Sequence, residues 1–291
     1  MRILLAFLAI YFIWGSTFLA VEFAIESIPP LLMSGSRFTV AGAVLLFWCA
    51  RRGRIPHPAW RDDLMTGLLL IGVSYALVTW AQLHVSSGVT AIIISSIPAW
   101  IVLGELLVLG RRPSRTTILG VLIGFAGQAI LIAPQLRGAT ATGLALGAIV
   151  LSNVSWTAGT LMISRENARQ RDPLAAAGYQ MLFGGLMLLA GSIVIGETRV
   201  SIPALPLRST LSWAFLVVAG SLVGYTAWVW LLTKVSATRV ATHTFVNPIV
   251  AVLLGWAFAN EEITLRTGAA IGCVLLALWL ILRSKADAAR A

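Results

Sequence analysis

The chain has 291 residues, of which 58% are hydrophobic and only 11% are charged, and its mean hydropathy is +0.90. Soluble domains carry roughly a quarter charged residues, so this composition excludes an ordinary soluble domain and predicts an all-α polytopic membrane protein. The net charge of +10 would suggest a nucleic-acid partner in a soluble chain. Here the basic residues follow apolar segments, as in cytoplasmic loops, so no nucleic-acid partner is expected.

Ten apolar segments follow one another along the chain, each near the ~20 residues that a bilayer requires. The predicted helices cover about Ile3–Ala24, Leu31–Ala50, Leu64–His84, Thr90–Leu109, Thr117–Ile132, Thr142–Ile163, Pro173–Ile195, Leu211–Leu232, Ala241–Ala259 and Ile263–Leu282. The first segment is too long for the apolar core of a secretory signal and is kept as a helix. We therefore expect a multi-pass protein whose main partner is the lipid bilayer.

The distribution of the 21 basic residues predicts the orientation of these helices. With both termini in the cytoplasm, sixteen of them fall in cytoplasmic segments, four fall outside, and Arg37 lies within a helix. An excess of basic residues in cytoplasmic loops is the usual arrangement. The sequence therefore predicts a plasma (inner) membrane protein with both termini inside.

An internal repeat relates the two halves of the chain at a spacing of 150 residues. The positions that recur are Tyr75, Trp80, Val85, Ser86, Ala91, Pro98, Val102, Leu103 and Thr117, which match Tyr225, Trp230, Val235, Ser236, Ala241, Pro248, Val252, Leu253 and Thr267. Arg111 and Arg112 become Glu261 and Glu262, and this change of charge in matching loops indicates opposite orientation. We predict two inverted five-helix repeats, residues 1–136 and 137–291, around a central cavity.

A weaker match joins the starts of the two halves. Trp14 and Pro30 correspond to Trp156 and Pro173, and Arg37 falls opposite Gln180.

Short motifs in the first half resemble the drug/metabolite transporter superfamily and its EamA-type members. They are Trp14-Gly15-Ser16-Thr17, Pro30 with Arg37, and Pro98 with Gly104-Glu105. Among those members the chain is most similar to aromatic amino-acid exporters of the YddG type. The resemblance implies a basket-shaped bundle of ten helices, with helices 1, 3, 4, 6, 8 and 9 lining the cavity, and it implies export.

The resemblance also bears on substrate charge. Family members that carry sugar phosphates or nucleotide sugars use membrane-embedded lysine or arginine. The only lysines here, Lys234 and Lys285, lie at helix ends. That departure argues against a strongly anionic substrate.

Aromatic and polar side chains that share helix faces are the candidates for a substrate site. Tyr75, Thr79 and Gln82 are spaced by four and three, as residues on one helix face are. The full set of candidates is Trp14, Tyr75, Thr79, Gln82, Ser95, Trp100, Asn153, Trp156, Tyr225, Trp228, His243 and Asn247. The alternatives are that the aromatic residues fill the core or the interfacial belt, and that His243 bonds to a neighbouring helix.

Two prolines in apolar helices, Pro98 and Pro248, each remove one backbone donor. Such breaks occur in membrane helices where protein or water satisfies the freed carbonyl, so both prolines are candidate hinges. A purely structural kink is the alternative.

The charged residues predict little ion chemistry within the membrane. Glu22 and Arg37 lie at similar depths on either side of the Pro29 turn, so we expect a structural ion pair. None of the 11 acidic residues falls near the middle of a span, where proton-driven carriers hold a carboxylate. His243 is the mid-helix group that titrates near neutral pH, and uncoupled facilitated transport is predicted.

These features together predict a secondary transporter that works by alternating access. Its expected substrates are small neutral or zwitterionic amphipathic metabolites, and in particular amino acids, including aromatic ones. A channel-like pore and a proton-coupled drug/metabolite exporter are the alternatives. No enzymatic activity is expected, because His57 and Asp62 match an acyltransferase spacing without any companion motif.

No cofactor and no metal are expected, since Cys49 and Cys273 lack the spacing of metal ligands. Small-residue pairs such as Gly120 with Gly124 and Gly268 with Gly272 permit close helix packing. The protein is therefore expected to be a monomer or a homodimer.

Overall fold

The computed structural model describes residues 1–53, 59–85, 90, 93–132, 143–166, 172–197, 205–259 and 264–283, with only the backbone for 131, 132, 166, 251, 252 and 255–259. This part of the chain contains ten main helices and no strand. They are α1 (Arg2–Ile25), α2 (Pro30–Arg51), α3 (Trp60–Ala81), α4 (Ile97–Leu109), α5 (Arg115–Ile132), α6 (Gly143–Glu166), α7 (Pro173–Val194), α8 (Leu207–Leu232), α9 (His243–Ala259) and α10 (Leu265–Leu282). A short helix, Ala237–Ala241, precedes α9.

Seven of these helices are long and apolar enough to cross a membrane: α1, α2, α3, α6, α7, α8 and α10. Large apolar side chains face outward from the bundle. Leu107, Leu144 and Val194 are 72%, 73% and 84% exposed. In water such surfaces would drive association, whereas lipid tails accommodate them, so the molecule has the surface of a membrane protein.

The helix pairs in contact follow a regular scheme. α2 packs along α7 and α5 packs along α10, and these two contacts are the most extensive in the molecule. The contact of α1 with α9 is matched by that of α6 with α4, and the contact of α1 with α8 is matched by that of α6 with α3. Each of these contacts in one half of the chain therefore has a counterpart, obtained by replacing each helix with the helix five places further along or back in the order α1 to α10.

Glycines allow α2 and α7 to approach closely. A Cβ atom on Gly42 would lie 2.5 Å from the backbone nitrogen of Leu182, and one on Gly185 would lie 2.5 Å from that of Thr39. By contrast, a Cβ on Gly268 or Gly272 in α10 would meet nothing within 4 Å. That small-residue pair therefore does not mediate packing among the described residues, while Gly120 and Gly124 do contact neighbouring helices.

α3 and α8 each change to a π-helical winding part-way along, over Leu68–Val73 and Leu216–Tyr225. π-helical winding lengthens the backbone ring and leaves a carbonyl free for another donor. In α3 the hydroxyl of Ser155 donates to the Leu69 carbonyl at 2.7 Å. In α8 the indole of Trp14 donates to the Gly220 carbonyl at 3.0 Å. Both stretches are therefore fixed by a side chain from the helix that faces them.

The predicted fourth helix, Thr90 to Leu109, is interrupted near its start. Thr90, Ile93 and Ile94 are helical, a turn follows at Ser95 and Ser96, and α4 begins at Ile97 with Pro98 in its first turn. A proline is tolerated there because the first helical N–H groups have no partner within the helix. Pro98 thus lies at the beginning of a helix, while Pro248 lies inside α9.

Candidate functional site

A cavity of about 120 Å³ lies among α1, α2, α3, α6, α9 and the residues that precede α4. Its walls come from the C-terminal halves of α1 and α3 and from the N-terminal half of α2. Eight of the predicted site residues line it: Trp14, Tyr75, Thr79, Gln82, Asn153, Trp156, His243 and Asn247. The shared helix faces seen in the sequence therefore converge on one space.

The other four candidates lie away from the cavity lining. Tyr225 and Trp228 are 1% exposed and belong to the central core. Ser95 is fully buried, and the Trp100 indole donates to Ser96 Oγ at 3.1 Å. Tyr225 and Trp228 thus fill the interior, the alternative considered for any single aromatic residue, while Trp100 is half-buried.

Eleven further residues line the cavity without having been predicted as substrate ligands. They are Thr17, Phe18, Val21, Ser34, Arg37, Ser74, Val78, Ile94, Ile97, Ser152 and Thr244. Several lie one turn from a predicted residue, as Thr17 does from Trp14 and Thr244 from Asn247. Extending each candidate face by one helical turn would have found those. Ser34 and Arg37 on α2 carried no such indication.

Aromatic rings from four helices form one side of the cavity. The Trp14 ring lies 4.8 Å from the His243 ring and 6.0 Å from the Trp156 ring, both edge to face. Trp156 in turn lies 4.8 Å from Trp228, which supports it from behind. Edge-to-face pairs at these separations are favourable beyond their burial, so this cluster holds the cavity wall in a fixed shape.

The predicted ion pair between Glu22 and Arg37 is not formed, and this expectation is corrected. Arg37 is 2% exposed, and its Nε donates to Ser221 Oγ at 3.2 Å. Its guanidinium carbon lies 4.3 Å from the centre of the Phe38 ring and 5.3 Å from that of Tyr75. The side chain of Arg37 turns inward to the cavity, where α8 and the aromatic rings replace the carboxylate that similar depth in the sequence had suggested.

Hydrogen bonds fix the polar part of the wall. Ser74 and Ser152 join α3 to α6 through their hydroxyls at 2.8 Å. The Asn153 amide donates to the Ile93 carbonyl at 2.5 Å and to Ser96 Oγ at 3.1 Å. Asn153 therefore holds the break that precedes α4, using a side chain to satisfy backbone that a continuous helix would have satisfied.

Within the described ranges, three buried polar atoms of cavity-lining residues have no hydrogen-bond partner: Ser34 Oγ, Trp156 Nε1 and Asn247 Oδ1. Buried polar atoms are nearly always hydrogen-bonded in proteins, and each unpaired one costs about 1–3 kcal/mol. They comprise a donor, an acceptor and a hydroxyl that can do either. A polar solute in the cavity could satisfy all three.

The opposite end of the bundle is held together by contacts between helices. The Thr238 hydroxyl donates to Glu105 Oε2 at 2.7 Å, joining the short helix before α9 to α4. Arg165 Nη2 donates to the Val108 carbonyl at 2.5 Å, joining the ends of α6 and α4. The cavity and these contacts thus lie towards different ends of the bundle.

Comparison with known proteins assigns this architecture. The sequence profile of the EamA-like transporter family matches the chain over residues 1–133 and again over 143–283. The chain belongs to the EamA-like transporter family.

Relatives of this family member are described as transporters. The chain is 31% identical over 285 residues to "Uncharacterized inner membrane transporter YedA" of Escherichia coli strain K12, covering 96% of this chain and 90% of that protein. It is 24% identical to "Uncharacterized transporter" of Archaeoglobus fulgidus, over 94% and 95% of the two chains. It is also 24% identical to "Uncharacterized transporter YoaV" of Bacillus subtilis, over 91% of each.

A solved structure titled "Crystal structure of protein" has the same fold. It superposes with a TM-score of 0.79 over 96% of each chain, at 18% sequence identity. Membership of the EamA-like transporter family, together with the apolar helices, supports a membrane transporter. The names of the relatives do not mention aromatic amino acids, so that narrower assignment receives no support from them.

Proposed function

We propose that this EamA-like protein is a secondary transporter for small amphipathic metabolites, with amino acids, including aromatic ones, as its substrates. The observation that carries the proposal is the mixed wall of the cavity, where Trp14, Trp156 and Tyr75 lie beside the unpaired polar atoms of Ser34 and Asn247. Aromatic surface supplies affinity for an apolar side chain, and a few placed polar groups orient the charged ends.

The size of the cavity agrees with a small substrate. An apolar protein cavity of about 150 Å³ can hold benzene, and the cavity here measures about 120 Å³. It has room for one ring-sized or branched apolar side chain. A peptide or a bulky drug would need a substantial movement of the wall.

We further propose that transport occurs by alternating access between two inverted five-helix repeats. Support comes from the matched helix pairs, in which α1 with α8 corresponds to α6 with α3. The repeated residues, Tyr75 with Tyr225 and Pro98 with Pro248 among them, supply independent support. Repeats of this kind move against each other around a site near the bilayer midplane.

The predicted orientation in the membrane indicates to which side the cavity opens. With both termini in the cytoplasm, the C-terminal half of α1 and the N-terminal half of α2 are outermost, and these halves line the cavity. The bonds from Thr238 to Glu105 and from Arg165 to Val108 would then close the cytoplasmic end. We propose an outward-facing carrier, with export as the direction that the family resemblance implies.

Counterflow in proteoliposomes tests the proposal. Vesicles loaded with one unlabelled amino acid are placed in a trace of the same labelled compound, across a panel of all twenty. A carrier gives transient accumulation of label above equilibrium, because unlabelled substrate returns the binding site. Fast, non-saturable flux without that overshoot would instead indicate a pore and would overturn the carrier assignment.

A further inference from the structure

Arg37 is a buried cation beside the cavity. It is 2% exposed, it lies on α2, and it is one of the residues that line the space. Its Nε donates to Ser221 Oγ, and its guanidinium lies over the Phe38 ring. Among the residues that the structure describes, no carboxylate forms an ion pair with it, since the described pair joins Arg208 to Glu26. Arg37 is therefore held in place by neutral groups.

A buried charge in this position calls for an opposite charge. Removing an ion from water costs several kcal/mol unless a counter-ion and hydrogen bonds compensate for it. The hydroxyls of Ser221 and Tyr75 and two aromatic faces compensate only in part, since neutral groups cancel no charge and a cation–π contact contributes about 0.5–2 kcal/mol. The guanidinium carries five N–H donors, and Nε uses one of them for Ser221. The geometry leaves Arg37 equipped for an anionic ligand.

Ser34 supplies a second donor on the same face of α2. It precedes Arg37 by three residues, a spacing that places side chains side by side on a helix. Ser34 also lines the cavity, and its fully buried Oγ has no hydrogen-bond partner. A guanidinium and a neighbouring hydroxyl together match the two oxygens of a carboxylate, which guanidinium groups bind with strong charge-assisted hydrogen bonds.

We propose that Arg37 and Ser34 bind a carboxylate group of the transported substrate. The proposal rests on the transport function proposed above and narrows its substrate class to small monocarboxylates with an apolar side chain, α-amino acids among them. The apolar side chain lies against Trp14 and Trp156. Asn247 Oδ1, which has no hydrogen-bond partner among the described residues, accepts a hydrogen bond from the ammonium group. Amines and amides of the same shape lack the group that Arg37 recognises.

Competition between matched ligands tests this assignment in the wild-type protein. In the counterflow assay with labelled L-phenylalanine, or with whichever panel amino acid is transported, the competitors are L-phenylalaninamide, phenethylamine and 3-phenylpropionate or their equivalents. We expect the amide and the amine to need about tenfold or higher concentrations than the parent amino acid for half-inhibition, as befits a lost charged hydrogen bond. The carboxylate without the ammonium should compete better than either. Equal competition by amide and acid would overturn the assignment while leaving the transport function intact.

Three variants test which residues cause the preference for the acid over its amide. In Arg37→Gln the ratio between amide and acid should fall to near one, whereas Arg37→Lys should retain a preference for the acid. Ser34→Ala should weaken that preference severalfold. Arg208→Gln is the matched control, because Arg208 is an exposed arginine paired with Glu26, and its ratio should equal that of the wild type. An unchanged ratio in Arg37→Gln would overturn the role of Arg37.

A binding measurement keeps the test independent of transport and of variant folding. The cavity contains Trp14 and Trp156, so a ligand should change the tryptophan fluorescence of the purified full chain. The wild-type dissociation constants for the acid and its amide should differ by the same factor as in competition. If no labelled solute shows counterflow but the acid binds more tightly than the amide, the transport proposal fails and the carboxylate site stands. Equal binding would overturn the site.

Discussion

The hydroxyl of Tyr225 donates to Gln180 Oε1 at 3.0 Å, in the place where the first half of the chain sets Tyr75 beside Arg37. Tyr75 and Tyr225 occupy matching positions of the repeat, as do Arg37 and Gln180. The second pair closes on itself with a hydrogen bond, and Tyr225 is 1% exposed. In the first pair both side chains line the cavity. Gln180 therefore belongs to a contact in the core, whereas Arg37 at the matching position belongs to the wall of the cavity.

This difference predicts that substitutions at the two tyrosines have different effects. Tyr225→Phe removes the donor to Gln180 and leaves a buried amide oxygen unpaired, which should cost about 1–3 kcal/mol of stability. Tyr75→Ala should instead reduce transport severalfold with little loss of stability, because Tyr75 forms the cavity wall. Thermal unfolding in detergent and counterflow on the same preparations separate the two effects. Normal stability of Tyr225→Phe would contradict the assigned bond.

Two tryptophans offer a matched pair for testing the wall. Trp14 Nε1 donates to the Gly220 carbonyl, whereas Trp156 Nε1 has no partner in the part of the chain that the structure describes. Trp14→Phe should therefore lower stability by about 1–3 kcal/mol, since it leaves a buried carbonyl unpaired. Trp156→Phe should keep or raise stability and weaken substrate binding, because its N–H is available to the ligand. If both variants were equally destabilised, the unpaired indole would be a misassignment.

The contact between α2 and α7 should be intolerant of a single methyl group. Gly42→Ala places a Cβ 2.5 Å from the backbone nitrogen of Leu182, and such overpacking typically costs about 1–3 kcal/mol. Gly147→Ala is the control, because a Cβ there meets nothing within 4 Å and alanine favours the helix. Unfolding temperatures should fall for the first variant and stay level or rise for the second. A fall in both would point to a lipid-facing role for Gly147.

Transport should be independent of a proton gradient. Of the described residues that line the cavity, none is an Asp or Glu, and a proton relay within a membrane usually needs one. An imposed pH gradient should leave the final solute distribution in vesicles unchanged. Uphill accumulation would refute this, and its loss in His243→Ala or Glu22→Gln would name the relay.

The end of the bundle opposite the cavity should open more readily when one hydroxyl is removed. Thr238→Val keeps the shape of the side chain but deletes its hydrogen bond to Glu105. Under alternating access, the equilibrium should move towards the state that is open at that end. A cysteine at position 105 or 238 would itself break this bond, so the reporter is Val102→Cys, a neighbouring residue, in an otherwise cysteine-free chain. The measurement is its rate of labelling by a membrane-impermeant thiol reagent. Unchanged labelling in the Thr238→Val background would argue against this bond as a gate.

Much of the architecture was predictable because it depends on pattern. The length of the apolar segments predicts the helices, and Tyr75, Thr79 and Gln82, which share one helix face by their spacing, all line the cavity. The inverted relation of the halves and their boundary remain predictions. The interruption at Ser95 and Ser96 was not predictable, since a run of apolar residues does not reveal that the Asn153 amide of a distant helix bonds to this segment.

The errors in the site arise from neighbours that sequence spacing does not identify. Because the positions of Tyr75 and Tyr225 match, the sequence predicts that both line the cavity. The residues beside them differ in charge, since Tyr75 lies next to Arg37 and Tyr225 next to Gln180. Arg37 was paired with Glu22 by depth, although depth does not fix the direction of a side chain. The structure turns Arg37 towards Ser221, which lies 184 residues away in the chain.

The paired π-helical stretches bear on the history of the molecule. π-helical winding is rare and appears mostly as short stretches inside α-helices, and Leu68–Val73 and Leu216–Tyr225 occupy matching places in the two halves. A single insertion in an ancestral half-length gene, copied when that gene doubled, accounts for both stretches with one event. If the two halves are inverted repeats, as proposed, an ancestor of half the length would have worked as a pair of identical subunits facing opposite ways. Deleting one residue from a single stretch, such as Ala219, should return that part of α8 to regular α-helical winding and remove the free carbonyl to which Trp14 donates. Transport should then be lost, and normal flux through this variant would contradict the expectation.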